Sequence, residues 1–133
     1  MSSRIDIKLE CGDVDFGQSL VLDLPVYPVG AVIRRVSIKG ASDILGVFDA
    51  VARTCEFPDY FGRNFDALCD CLRDMEWLQG SAYVLILADA SDAWKRFPLD
   101  MGIFTIVWLT AAMSWRDSGV PFKLGFEMGP TPN

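Results

Sequence analysis

The chain contains no histidine, which removes the usual general base near neutral pH and the commonest metal ligand. Ser-His-Asp and Cys-His nucleophile mechanisms and the HExxH zinc motif are thereby excluded. The glycines form no phosphate loop. Gly40 to Gly46 has the spacing of neither GxGxxG nor the Walker pattern, and no Lys-Ser or Lys-Thr pair occurs, so nucleotide chemistry loses its usual support. The four cysteines, Cys11, Cys55, Cys69 and Cys71, lack the spacing of a paired CxxC zinc site. Long apolar runs are also missing. The longest, Gly102 to Met113, is too short to span a bilayer and predicts a buried core helix. The opening MSSRIDIKLE alternates charged and apolar residues and so lacks the apolar core of a secretory signal. A cytoplasmic location and reduced, structural thiols are expected.

Basic residues are few, with 12 Lys and Arg against 18 Asp and Glu for a net charge of −6. That balance disfavours nucleic acid and anionic membranes as partners and favours cationic ones. With 133 residues and 51% hydrophobic side chains, one compact domain can bury its own core. No cofactor, metal site or catalytic residue is expected, and the free chain is expected to be a monomer.

Arg4 to Glu10 and Ser19 to Leu24 alternate polar and apolar residues, the period of half-buried strands. With Cys11-Gly12-Asp13 and Gly17 as turn residues they predict an antiparallel hairpin within an N-terminal extension, residues 1–30. After Pro25, Pro28 and Gly30, residues 31–133 read as an α/β domain. Ala31 to Ile38 is a strand-like run. Ser42 is a candidate cap for a helix carrying Ile44, Phe48, Val51 and Cys55. Asn64 caps a second helix predicted to reach about Trp77, with Phe65, Leu68, Leu72 and Met75 as its buried stripe. On that helix Cys69 and Cys71 point in different directions and should not bridge each other. Ala82 to Ala88 is continuously apolar, the pattern of a strand covered on both faces of a parallel sheet. A short helix at Ser91 to Phe97, a longer one from Asp100 to about Arg116 and a last strand at Phe122 to Met128 complete the order.

The stretch from Phe57 to Leu78, FPDYFGRNFDALCDCLRDMEWL, is the most informative. Asp66, Asp70 and Asp74 stand four residues apart, so on a helix they share one face and repel by a few tenths of a kcal/mol per pair. Such a ridge either awaits a basic partner or is a solvated face partly neutralised by Arg63 and Arg73.

Pro58, Asp59, Tyr60, Phe61, Gly62, Asn64, Asp66, Ala67, Leu68, Asp70 and Leu72 together resemble the signature of the barstar family, intracellular inhibitors of barnase-type ribonucleases. The element order from about Val32 to Met128 is also similar. The resemblance implies a small three-stranded parallel sheet layered with helices, with the N-terminal hairpin as an addition. It also implies that the turn and the acidic helix plug a basic active-site cleft. Asp70 would fill the phosphate site, Asp66 would pair with a cleft Arg or Lys, and Tyr60 would pack an aromatic face on the enzyme. Gly62 and Asn64 would shape the loop, and Phe61, Cys69 and Asp74 complete the candidate partner-binding set. Blander roles remain open: Asp66 can simply complement the helix dipole, Tyr60 and Phe61 can staple the loop, and Gly62 can merely serve the turn. Three features depart from the family pattern. Cys69 stands where the best-known member has a tryptophan, Arg63 replaces an acidic turn residue, and a later acidic contact has no counterpart around Ser114.

The expected function is therefore a non-enzymatic inhibitor of a small basic ribonuclease or related toxin. An interaction module with a cationic, non-nuclease partner is the alternative. An enzyme using paired carboxylates is disfavoured, because nothing supplies a nucleophile, metal or oxyanion hole beside the ridge.

Overall fold

A computed structural model describes residues 13–17 and 28–129. The chain runs through β1 (Val14–Gly17), β2 (Val32–Ser37), α1 (Ile44–Thr54), α2 (Phe65–Asp74), β3 (Tyr83–Ala88), α3 (Ser91–Arg96), α4 (Pro98–Asp117) and β4 (Phe122–Glu127). The strands form one sheet in the order β1-β4-β3-β2, with every pairing parallel. Parallel neighbours cannot be joined by tight hairpins, so the connections carry helices. α1 and α2 lie between β2 and β3, and α3 and α4 lie between β3 and β4.

Among the described residues the sheet has four strands rather than the expected three. The additional one, β1, falls where the sequence predicts the loop of a hairpin. Val14 lies opposite Leu124 and Phe16 opposite Phe126. Turn-forming Gly12, Asp13 and Gly17 disguise a short alternation in which Val14 and Phe16 share a face and Asp15 takes the other. Phe16 stacks on Phe126 at 5.0 Å and meets Trp94 edge-on at 5.6 Å. Asp13 pairs with Arg116 of α4 and, at 3.5 Å, with Lys123 of β4. The hairpin strands predicted at Arg4–Glu10 and Ser19–Leu24 lie outside the described residues.

All of β3 is buried, as its unbroken apolar run predicts. Tyr83, Leu85 and Leu87 join Phe122, Leu124 and Phe126 of β4 in a core with Phe48 and Val51 of α1, Leu68 and Leu72 of α2, and Phe104 and Trp108 of α4. Val84, Ile86 and Ala88 are buried on the opposite face. Across that face Arg35 of β2 pairs with the buried carboxylate of Glu127.

Helix boundaries differ from the sequence expectations in ways the caps explain. Asp43, not Ser42, caps α1, its carboxylate accepting from the N–H groups of Leu45 at 3.0 Å and Gly46 at 3.4 Å. The last long helix begins at Pro98 rather than Asp100, because proline is well suited to the first helical position. α2 stops at Asp74, short of Trp77. Met75 turns left-handed, with φ 49, to bury its side chain, and the Trp77 indole donates to the Cys55 carbonyl at 3.0 Å.

The run Gly102 to Met113, predicted as a buried core helix, is buried on one side only. Met101, Phe104, Trp108, Ala111 and Ala112 are buried, whereas Leu99, Ile106, Leu109 and Met113 face solvent. A helix apolar all round carries no polar stripe to reveal its outer face in the sequence. No helix among the described residues is long and apolar enough to cross a membrane.

Trp108 links α4 to the sheet by stacking on Phe122 at 4.4 Å and donating its indole N–H to the Phe122 carbonyl at 3.3 Å. Trp108→Ala is expected to cost about 3–5 kcal/mol in urea unfolding. A loss below about 1 kcal/mol would show that the surrounding core closes over the cavity.

Candidate functional site

The acidic segment is held from below by apolar packing and from in front by its own cap. Leu68, Cys71 and Leu72 of α2 are buried, while Asp66, Asp70 and Asp74 are exposed on the other side. Helical geometry puts successive carboxylate-bearing Cβ atoms roughly 5–6 Å apart. None of the three has a hydrogen-bond or ion-pair partner among the described residues. Trp115 of α4 fixes the far end of the helix by donating to the Leu72 carbonyl at 2.8 Å.

The preceding turn is similarly fixed. Phe61 N–H donates to the Pro58 carbonyl at 3.0 Å, leaving Asp59 and Tyr60 exposed at the tip. The Phe61 ring turns inward, edge-on to Phe57 at 5.1 Å and Phe48 at 6.0 Å. It staples the loop while Tyr60 presents its ring to solvent. Asn64 caps α2 by accepting from Ala67 N–H at 2.8 Å, and its amide donates to the Gly62 carbonyl at 3.2 Å.

The left-handed residue of this turn is Arg63, at φ 51, whereas the sequence assigns the backbone excursion to Gly62. Gly62 serves instead to admit its neighbour, since a Cβ there would stand 3.2 Å from the Asn64 amide nitrogen. The backbone turn at Arg63 carries its guanidinium to Asp49 of α1, with two hydrogen bonds of 2.9 and 3.0 Å. Of the two charges expected to neutralise part of the ridge, Arg63 and Arg73, the first is thus already paired elsewhere. No local pattern signals that contact, because Asp49 lies on a different helix.

A family profile described as Barstar (barnase inhibitor) matches residues 31–127, the greater part of the chain. The chain belongs to the barstar family. A search of curated proteins returns no match. The profile match spans β2 to β4 and contains the whole acidic turn and helix, whereas β1 precedes it. Among the positions that depart from the barstar pattern, Cys69 is half-buried on the flank of the ridge and Ser114 is exposed on α4.

Charge in this barstar-family site is felt by its neighbours. The Tyr60 phenol is held above its ordinary range by partial desolvation, then by Asp74, the Cys71 thiol and Glu76. Tyr60, inside the signature, and Asp74, beyond its end, therefore belong to one electrostatic neighbourhood. The Cys71 thiol is raised first by burial, then by Asp70 and Asp74. Burial pushes Cys55 up to about 12. Cys55, Cys69 and Cys71 are all free. Among the described residues, no group of three or more His, Cys, Asp or Glu side chains could hold a metal ion.

Two measurements follow from this geometry. Asn64→Ala should lower stability by about 1 kcal/mol through loss of the cap, read as a shift in urea midpoint; no shift would show that the cap is dispensable. Thiol alkylation followed by peptide mapping should label Cys69 in the native protein and reach Cys55 only on unfolding. Because the folded Cys55 thiol keeps its proton to about 12, its contribution to stability is complete below the unfolded value, about 8.5. It is lost as pH rises between the two. Native-state labelling of Cys55 at pH 8 would contradict both the burial and the shift.

Proposed function

We propose that this barstar-family protein is a non-catalytic, cytoplasmic inhibitor of a small basic ribonuclease, using the Tyr60 turn and the aspartates of α2 to fill the enzyme's phosphate-binding cleft. The observation that carries the proposal is the row of Asp66, Asp70 and Asp74, exposed and without hydrogen-bond or ion-pair partners among the described residues, on a helix whose other side is locked into the core. Within the fold alone such a row is mildly unfavourable. Against a cluster of cleft arginines and lysines the same row gains charge-assisted hydrogen bonds and speeds encounter.

Each candidate residue has a part in this scheme. Asp70 takes the phosphate position, Asp66 pairs with a second cation, and Asp74 adds to the field while Tyr60 supplies apolar contact at the rim. Asn64, Gly62 and Phe61 act by holding the turn in place before the partner arrives, which limits the ordering cost of association. Cys69 sits between the two principal aspartates in sequence and offers a small contact. The enzyme surface opposite it must therefore project further than one shaped for a large aromatic ring.

Calorimetric titration with a barnase-type ribonuclease tests the proposal. Binding should weaken as salt rises, and Asp70→Ala should weaken it by about 100-fold or more, because the cleft cations are left without their counter-charge. Near-UV circular dichroism of the variant should match the parent, since Asp70 is exposed. Unchanged affinity in Asp70→Ala would rule out the plug, and recovery of a non-nuclease partner through the same helix would redirect the assignment.

A further inference from the structure

Asp49 lies on α1, outside the acidic turn and helix, yet it sits against the turn that leads into them. Its carboxylate accepts from Nε and Nη2 of Arg63 at 2.9 and 3.0 Å, a two-point geometry that the planar guanidinium forms and a lysine ammonium does not. Arg63 stands immediately before the Asn64 cap and three residues before Asp66. The carboxylates nearest to it in sequence are Asp66 and Asp59, but the one it reaches is 14 residues away. Its backbone is left-handed, with φ 51, a conformation uncommon for a long side chain. Such a conformation persists where the surroundings hold it. Here the inward Phe61 ring, the Asn64 cap and the Asp49 pair all do so.

We propose that Asp49 is a positioning residue for the acidic surface: by holding the Arg63 guanidinium against α1, it keeps the aspartates of α2 open to a cationic partner. The proposal rests on the reading of that surface as the contact for a basic protein. Released from Asp49, Arg63 becomes a cation on a short tether beside Asp66, present there at high effective concentration. It then competes with the partner's arginines and lysines for the same carboxylates. Once displaced, it remains a like charge at the rim of a basic cleft. Asp49 removes both effects without itself standing on α2. The side chains of Arg63 and Asp49 are 50% and 53% exposed, so the pair adds little to stability and its loss leaves the chain folded.

Calorimetric titration of the full chain and its variants at low salt is the test, first with octa-arginine as a probe and then with a barnase-type ribonuclease. Asp49→Asn should weaken binding of either by roughly 5-fold, the strength of a good exposed ion pair. Asp49→Asn combined with Arg63→Gln should restore the parental affinity, because the competing cation is gone. Net charge alone does not give this pattern. Asp49→Asn combined with Arg53→Gln, at an exposed arginine of α1, also keeps the parental charge and should remain weak. Arg63→Gln alone should bind at least as well as the parent, since Phe61 and Asn64 still hold the turn.

Equal octa-arginine binding by the parent and Asp49→Asn would overturn the proposal, as would the absence of rescue by Arg63→Gln. Weakened ribonuclease binding in Arg63→Gln alone would make Arg63 itself a contact and overturn it too. Failure of the parent to bind octa-arginine would show that the row is not open to cations, with the same result. If the peptide series follows the expected pattern but no form of the chain binds the ribonuclease, the role of Asp49 stands and the ribonuclease reading fails.

Discussion

Burial of Leu68, Leu72 and Met75 is what permits three like charges to stand in line on α2. Each fully buried side chain of this kind contributes about 1.5–3 kcal/mol, while each i,i+4 repulsion costs only about 0.2–0.5 kcal/mol. The apolar side therefore dictates the helix, and the acidic side follows wherever it is pointed. This asymmetry lets a fold carry an acidic row, unpaired among the described residues, at little cost to its own stability. It also means that a change at Asp70 should act on a partner and leave the scaffold intact.

The turn before α2 shows the same separation of scaffold from surface. Phe61 goes inward to Phe48 and Phe57, Asn64 closes the helix end, and the Arg63 guanidinium is drawn to Asp49. The exposed Arg63–Asp49 pair adds little to stability, as surface pairs generally do. Its consequence is geometric, because it keeps a cation that is close in sequence from folding over the aspartates. A turn that brings Tyr60 and the acidic row to the surface already ordered loses less freedom on binding than a loose one.

Much of this was legible in the sequence because it rests on local rules. Asn64 ahead of Phe65 is a cap signal, Leu68 and Leu72 mark the buried stripe, and the apolar run from Ala82 to Ala88 has the pattern of a covered strand. What was not legible depended on contacts far along the chain. Val14–Gly17 is too short and too closely bounded by turn formers to announce itself, and only pairing with β4 makes it a strand. Met75 turns left-handed because its burial and the Trp77–Cys55 hydrogen bond favour ending the helix there, which no propensity reveals. In the site, the positions of the aspartates followed from spacing alone. The withdrawal of Arg63 and the nearness of Tyr60 to Asp74 required the packed fold.

The acidic row of α2 and the outer face of α4 differ in how they answer to salt, because one is charged and the other apolar. Attraction between the acidic row and a cationic enzyme acts across water and is screened as ionic strength rises. Burial of apolar side chains such as those on the outer face of α4 has no such dependence and is unaffected or strengthened by salt. α2 packs directly on α4, with the Trp115 indole donating to the Leu72 carbonyl at 2.8 Å and Leu68 and Leu72 sharing a core with Phe104 and Trp108. The fold thus places an acidic row on α2 and an apolar outer face on α4 while packing the two helices against each other.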